Sequence, residues 1–179
     1  MAIFSISEFK AGIGQLLKPN LFEANISSAP TTLPTTLIPN FKFRCEKAEF
    51  PGKTLATVDD PGGGGPTLKL PYDVTYSDIV LSIICSADLA ERKYFENWID
   101  LIVGKANTDK AGLVNYYNVY AKGKTLTVKQ LDEAGATKGT WTMQHVYPIA
   151  ITPMNAVWEE LNTYQRFEVT LTYRYYEIS

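Results

Sequence analysis

The chain reads as a mainly β protein with a helical contribution (α+β), a β-barrel or sandwich carrying one packed α-helix. Two alternating runs and one helical stripe lead there. Phe41, Phe43 and Cys45 alternate with Lys42, Arg44 and Glu46. Near the end, Phe167, Val169, Leu171, Tyr173 and Tyr175 share one phase while Glu168, Thr170, Thr172 and Arg174 share the other. Between them, residues 87–103 carry Leu89, Tyr94, Phe95, Trp98, Leu101 and Ile102 as a broad apolar stripe at helical spacing. A length of 179 residues fits a single domain, 1–179, able to bury a substantial core.

The elements follow in order. In residues 5–17, Ser5 and Glu8 have capping-box spacing, and Phe9, Ile13, Leu16 and Leu17 recur at helical intervals. Gly12 and Gly14 weaken this helix by about 1 kcal/mol each relative to Ala. A short N-terminal helix or arm, 1–18, is therefore expected to dock on its own domain or on a neighbouring subunit. Residues 21–26 form a short strand, and 27–39, rich in Ser, Thr and Pro, an extended loop. The alternating run from Phe41 is a strand. Residues 54–71 hold Asp59, Asp60, Pro61 and the glycines Gly62, Gly63, Gly64 and Gly65, and are expected as a long flexible loop outside any packed core. The nearly all-apolar stretch 78–85 suits a strand covered on both faces. Ser86 then caps the helix, with Asp88 in its first turn and Gly104 as its stop. Strands are expected at 115–122, 125–131 and 140–146, separated by Gly123 and by a turn region at 132–139. Residues 148–165, with Pro153 and Trp158, read as irregular. The closing strand, 165–178, would span about 45 Å at roughly 3.3 Å per residue, long for a small domain.

Several function classes fall away on chemistry. Lys and Arg number 17 against 19 Asp and Glu, a net charge of −2, so the basic footprint of a tight nucleic-acid binder is missing. The two cysteines, Cys45 and Cys85, lie far apart in strand candidates and read as buried, reduced hydrophobes rather than a disulfide framework. Residues 1–9 lack the pattern of a secretory signal, and no apolar run reaches the roughly 18 residues of a membrane span, so a soluble chain made in a cytoplasm is expected. The glycine run is followed by Pro66, Thr67 and Leu68 instead of Lys-Ser/Thr, and Asp59 and Asp60 would repel phosphate. His145 is the single histidine, which rules out a two-histidine metal site within one chain. In phase with Trp141 and Met143, it reads as a packed or strand-end residue and not a catalytic base. Nothing local marks Cys45 as a nucleophile or His145 as its partner. The adjacent pairs Glu159 and Glu160, and Asp59 and Asp60, read as solvated surface. The aromatic residues fall mostly on apolar phases, which suits core packing. No catalytic, cofactor-binding or metal site assembles, and an enzyme is not expected.

What is left is a long closing strand, several strands in need of edge partners, and arms at the start and near Gly62. A cyclic homo-oligomer hides such edges when strands of each copy join one barrel, and a head-to-tail interface along the axis turns rings into a tube. Four motifs sharpen this. Lys18, Pro19, Asn20, Leu21 and Phe22 precede Ile26; Phe43, Arg44 and Cys45 precede Pro51 and Gly52; the helix carries Ala90, Arg92, Phe95 and Trp98. The ending holds Tyr147 and Pro148, then Phe167 to Leu171 as FEVTL, then Tyr175, Tyr176 and Glu177. In this order and spacing, over most of the chain, the sequence resembles the tail tube proteins of contractile-tailed, T-even-like bacteriophages. It departs from that family in a longer 27–39 segment and a more Gly-rich 59–66 segment.

The resemblance implies a structural virion protein whose hexameric rings stack into a hollow tube within a contractile sheath. It also implies a continuous inner barrel lining the lumen, and relatives in secretion and injection machines. Expected partners are further copies, the sheath, the baseplate or tube initiator and the tail terminator. Tape measure protein and DNA would occupy the lumen without specific binding, and assembly would take place in the host cytoplasm. The net charge favours DNA sliding over sticking, and an acidic lumen is expected. Inter-subunit contacts are expected at Phe4, Ile6, Phe9 and Leu17 in the arm and at Asp59, Asp60 and Gly63 in the loop. The alternatives are a tube or baseplate-tube-initiator protein of a related contractile injection or secretion system, and a monomeric β-sandwich binding module.

Overall fold

The computed structural model describes residues 6, 16–28, 30, 33, 41–61, 65–105, 111–158 and 163–179. In chain order, the first half gives β1 (Phe22–Ser28), α1 (Phe41–Arg44), β2 (Cys45–Ala48), β3 (Lys53–Asp60), β4 (Leu68–Tyr76) and β5 (Ile79–Ile84). Then follow α2 (Ala90–Val103), α3 (Tyr117–Tyr120), β6 (Thr125–Leu131), β7 (Thr137–Gln144), β8 (Tyr147–Ile151), β9 (Arg166–Thr172) and β10 (Tyr175–Ile178). Two antiparallel four-stranded sheets result, a first in the order β1-β6-β7-β10 and a second in the order β2-β5-β9-β8. β3 and β4 form a separate hairpin.

Alternation sets the core. In the first sheet Leu126 pairs with Met143 and Val128 with Trp141; in the second Ile79, Leu81 and Ile83 pair with Leu171, Val169 and Phe167. These inward phases, with Ala24 and Ile26 of β1, meet in one continuous core, so the sheets form a sandwich. Neither sheet closes on itself among the described residues, which decides between sandwich and barrel for the single chain. α2 seals the core with Phe95 and Trp98, the latter 0% exposed. The Phe95 ring meets Phe167 edge-on at 6.2 Å, and Trp98 Nε1 donates to the carbonyl of Tyr120 at 3.1 Å.

The N-cap of α2 is Leu89 at φ 55° and not the expected Ser86, which instead ties the helix start from four residues upstream. Ala90 N–H donates to Ser86 Oγ at 3.3 Å, and Ser86 N–H donates back to Glu91 Oε2 at 2.9 Å. Glu91 is only 2% exposed, and its Oε1 forms an ion pair with Arg44 Nη1 that lacks good hydrogen-bond geometry. Removing Glu91 takes the acceptor from the Ser86 N–H and leaves Arg44, whose side chain is 35% exposed, to hydrate. Glu91→Ala is therefore expected to lower unfolding stability by about 1–2 kcal/mol, read as a shift of the urea midpoint at unchanged slope. An unshifted midpoint would show that the tie between Ser86 and Glu91 does not hold the helix start.

Several expectations are corrected. Residues 54–71 do not form a loop throughout, because 54–60 and 68–71 lie in β3 and β4. The reason lies in β4, where Leu68, Leu70, Tyr72, Val74 and Tyr76 alternate with Lys69, Pro71, Asp73 and Thr75. The hairpin does stay outside the packed core, with nearly every residue exposed. The closing strand is two strands: β9 belongs to the second sheet and β10 to the first, with Tyr173 and Arg174 between. The inward phase shifts at the crossing: Tyr173 is buried, whereas in β10 it is Tyr176, paired with Met143, that packs on the core while Tyr175 is exposed, and Arg174 N–H makes the crossing by donating to Gln144 O at 3.0 Å. Phe41 to Arg44 is a helical turn, with the strand starting at Cys45. Residues 115–122 hold α3, whose Tyr117 and Tyr120, one turn apart, place their rings 5.7 Å apart edge-on. β8 occupies the start of the stretch read as irregular. The N-terminal helix and most of the 27–39 loop lie outside the described residues. No described helix is long and apolar enough to cross a membrane.

Candidate assembly surface

Two cross-strand pairs define what the hairpin presents. Leu55 pairs with Val74 and Val58 with Leu70. Directly paired residues share a face, whereas Leu55 and Val58, three apart on one strand, point to opposite faces. A bulge makes both pairs possible. Ala56 pairs with Asp73 but Thr57 with Pro71, leaving Tyr72 as the extra residue on β4. The hairpin therefore shows apolar side chains on both faces, and Tyr72 on it is 71% exposed. A lone two-stranded hairpin is at best marginal in water. This one is anchored at its base, where Ser77 N–H donates to Gly52 O at 3.2 Å and Tyr76 packs edge-on against Tyr176 at 5.6 Å. Its outer part has nothing to cover it within the described chain.

The exit of the N-terminal arm is fixed against the β6–β7 end of the first sheet. Gln130 Nε2 donates to the carbonyls of Lys18 and Leu21 at 2.8 and 3.0 Å, and Lys18 Nζ lies 2.6 Å from Glu133 Oε1. Asp132 organises the adjoining turn, accepting the N–H groups of Ala136 and Ala134 at 2.8 and 2.9 Å. The bond from Ala136 first, and then Lys138, hold its carboxyl below the usual range. Leu16 and Leu17 emerge beside this turn as exposed apolar residues.

Among the expected contact residues, Ile6 and Leu17 are exposed, and Asp59 and Asp60 lie exposed at the end of β3 opposite Lys69 and Leu68. Phe4, Phe9 and Gly63 fall outside the described residues. The sequence reading passed over the apolar hairpin residues Leu55, Val58, Leu70, Tyr72 and Val74; the even-numbered alternation of β4 was the signal that could have found them.

The titratable residues are occupied structurally. Cys45 Sγ donates to Lys47 O at 3.3 Å, and burial pushes its thiol up to about 12, far from a thiolate nucleophile. His145 stands just past β7 at φ 61° and stacks on Tyr117 at 5.6 Å, its Nδ1 buried without a partner. The two residues do not pair. Among the described residues no group of three or more His, Cys, Asp or Glu is placed to hold a metal.

The comparisons with known proteins agree with this surface-centred picture. A family model described as phage tail tube protein matches residues 15–179. The tail tube protein gp19 of Enterobacteria phage T4 is 24% identical over 170 residues, covering 92% of this chain and 93% of that one. The phage T6 tail tube protein gp19 matches to the same extent. Among solved structures, a chain of the anti-feeding prophage baseplate superposes with a TM-score of 0.67 at 15% identity, covering 93% of this chain and 97% of that one. A chain of the sheath–tube complex of the extracellular contractile injection system PVC gives 0.63 at 15% identity, covering 99% of each. The two structures support the sandwich fold, and the family model, which spans nearly the whole sequence, establishes the kinship: the chain belongs to the phage tail tube protein family.

Proposed function

We infer that this chain is a structural, non-enzymatic subunit of a contractile phage tail, forming rings that stack into the hollow tube of the virion. The observation that carries the reading is the hairpin, apolar on both faces and uncovered, on a chain whose family is that of tail tubes. Surfaces of this kind become stable when further copies cover them. The sheath would enclose the tube and a terminator would end it, as the solved relatives in sheath–tube and terminator assemblies suggest. A tube initiator at the baseplate would start growth, and tape measure protein and then DNA would fill the lumen. Assembly in the host cytoplasm follows from the same reading.

The arm and the hairpin would make the ring-to-ring contacts, with Ile6, Leu17, Asp59 and Asp60 among them. Light scattering over a concentration series tests the reading: the full chain is expected to pass from monomer to ring and longer species. Removing residues 1–17 should leave the sandwich intact, since the described core holds none of them, yet sharply reduce tube growth. Normal tubes from the truncated chain would exclude the arm from stacking.

A further inference from the structure

Resting on the tube reading, we propose that two exposed apolar segments at opposite ends of the sandwich cover each other between rings, 113–119 of one copy packing on 157–164 of a copy in the next ring. The strand registers define the two ends. At the first, Ile79 faces Leu171 and Tyr147 faces Thr172; at the second, Ile84 faces Arg166 and Ile151 faces Val169. Helix α2 leaves the second end, where Ser86 follows β5, and runs to the first. There Trp98 Nε1 donates to Tyr120 O, and the Tyr120 ring packs edge-on against Tyr147 at 5.2 Å.

Segment 113–119 belongs to the first end. Asn115 N–H donates to Ile102 O at 2.8 Å, which pins the backbone to the close of α2. Leu113, Val114, Tyr116 and Val119 are left exposed, Tyr116 at 84%. Segment 157–164 belongs to the second end, in the connection from β8 to β9. Cys85 N–H donates to Gln165 O at 2.9 Å and Gln165 Nε2 to Asn155 O at 2.7 Å, so its base is held on the end of β5. Val157, Trp158 and Tyr164 are exposed there. Trp and Tyr are the residue types that anchor protein interfaces, and a lone subunit gains nothing by showing them to water.

Charge selects the occupant. Residues 111–124 hold no Asp or Glu but carry Lys122 and Lys124, neither of which makes a salt bridge among the described residues. Residues 152–165 hold no Lys or Arg but carry Glu159 and Glu160 directly after Trp158. The nearest cations at the second end are already held, Arg166 by Glu46 at 3.2 Å and Arg92 by Glu96 at 2.8 Å. One segment is apolar with a basic flank and the other apolar with an acidic flank, so each fits the other better than it fits itself. Contact between unlike surfaces of one chain is head-to-tail, and where it does not close it propagates as a filament. The ends also agree with the arm and hairpin contacts. The hairpin springs from the first end, since β4 closes at Tyr76 just before β5 opens at Ile79. The arm leaves at the second, by the β6–β7 turn, because β7 finishes at Gln144 beside Tyr147 and so begins at the opposite end.

Cross-linking in tubes grown from this protein alone, without sheath, tests the contact. The double variant Asn118→Cys, Ala156→Cys keeps every apolar anchor and places one thiol in each segment. Treated with a short bis-maleimide after assembly, it is expected to run as an open ladder of covalent multimers that outgrows the ring. Each single variant, and the parent with its native Cys45 and Cys85, should give no ladder. In a separate variant, Lys122→Glu with Lys124→Glu is expected to raise the concentration needed for tubes about tenfold or more. Adding Glu159→Lys and Glu160→Lys to it should recover most of that loss. A ladder that stops at the ring size would put the two segments side by side within one ring, and tubes without a ladder would leave them to the sheath or to solvent. Either result, or a charge reversal that leaves tube growth unchanged, overturns the contact and leaves the tube reading standing. A parent chain that forms no tubes overturns both.

Discussion

Replacing Leu55 and Tyr72 together with aspartate is expected to leave a folded monomer and to abolish tubes. Both side chains lie on the hairpin outside the sandwich core, so the monomer loses little. Exposed substitutions of this kind fall within about 0.5 kcal/mol each, and thermal unfolding should move by no more than a few degrees. Assembly answers differently. If a neighbouring copy covers the hairpin, each aspartate must be desolvated without a partner, at about several kcal/mol per group, and the cost recurs at every subunit of every ring. Light scattering should then find monomer at concentrations where the parent forms long species. Tubes of normal yield from this variant would show that the hairpin faces solvent in the assembly, and the apolar pairs on its two faces would need another explanation.

Trp98→Ala is expected to act the opposite way, on the fold itself. Trp98 is fully buried where α2 packs on the core, stacks with Phe95 at 6.4 Å and packs edge-on against Tyr94 at 5.9 Å. Truncating a buried Trp costs about 3–5 kcal/mol through lost contact and residual cavity. The carbonyl of Tyr120 also loses its indole donor. For a domain of this size the melting temperature should fall by about 10 °C, a large share of the roughly 5–15 kcal/mol that holds such a fold. Trp158→Ala is the control, because that ring is 100% exposed in the described chain, and its loss should leave the monomer's melting unchanged. A Trp98→Ala protein that melts with the parent would mean that α2 does not seal the core.

The legible and illegible parts of this fold divide along physical lines. Helix α2 was readable because its stripe persists over several turns, although its N-cap is Leu89 and not Ser86. The strands β6 and β7 were readable because their alternation meets a one-sided core, and β5 because its run is nearly all apolar. The break between β9 and β10 was not, since the sequence continues one apolar phase from Tyr173 to Tyr175 while in the fold the inward position passes to Tyr176. The hairpin was hidden by its own turn: four glycines and three prolines in 61–71 drew the eye to flexibility and away from the alternation of β4. Two glycines also meet local demands that no pattern announces. At Gly139 a Cβ would lie 2.8 Å from the Trp141 ring, and at Gly135 the φ of +79° closes the β6–β7 connection. For the candidate assembly surface, exposure is what the structure adds to the sequence. Asp59, Asp60 and Leu17 lie exposed where contacts were expected, but the apolar hairpin residues were missed because exposure is a property of the assembled sandwich, and sequence alternation alone does not say which strands the core will cover.

The central claim, that this chain builds a tube, is tested most directly by negative-stain electron microscopy of the purified, concentrated protein. Rings and hollow tubes of one uniform width are expected. A field of single particles without rings or tubes, from protein that remains monomeric by light scattering at the same concentration, would contradict it.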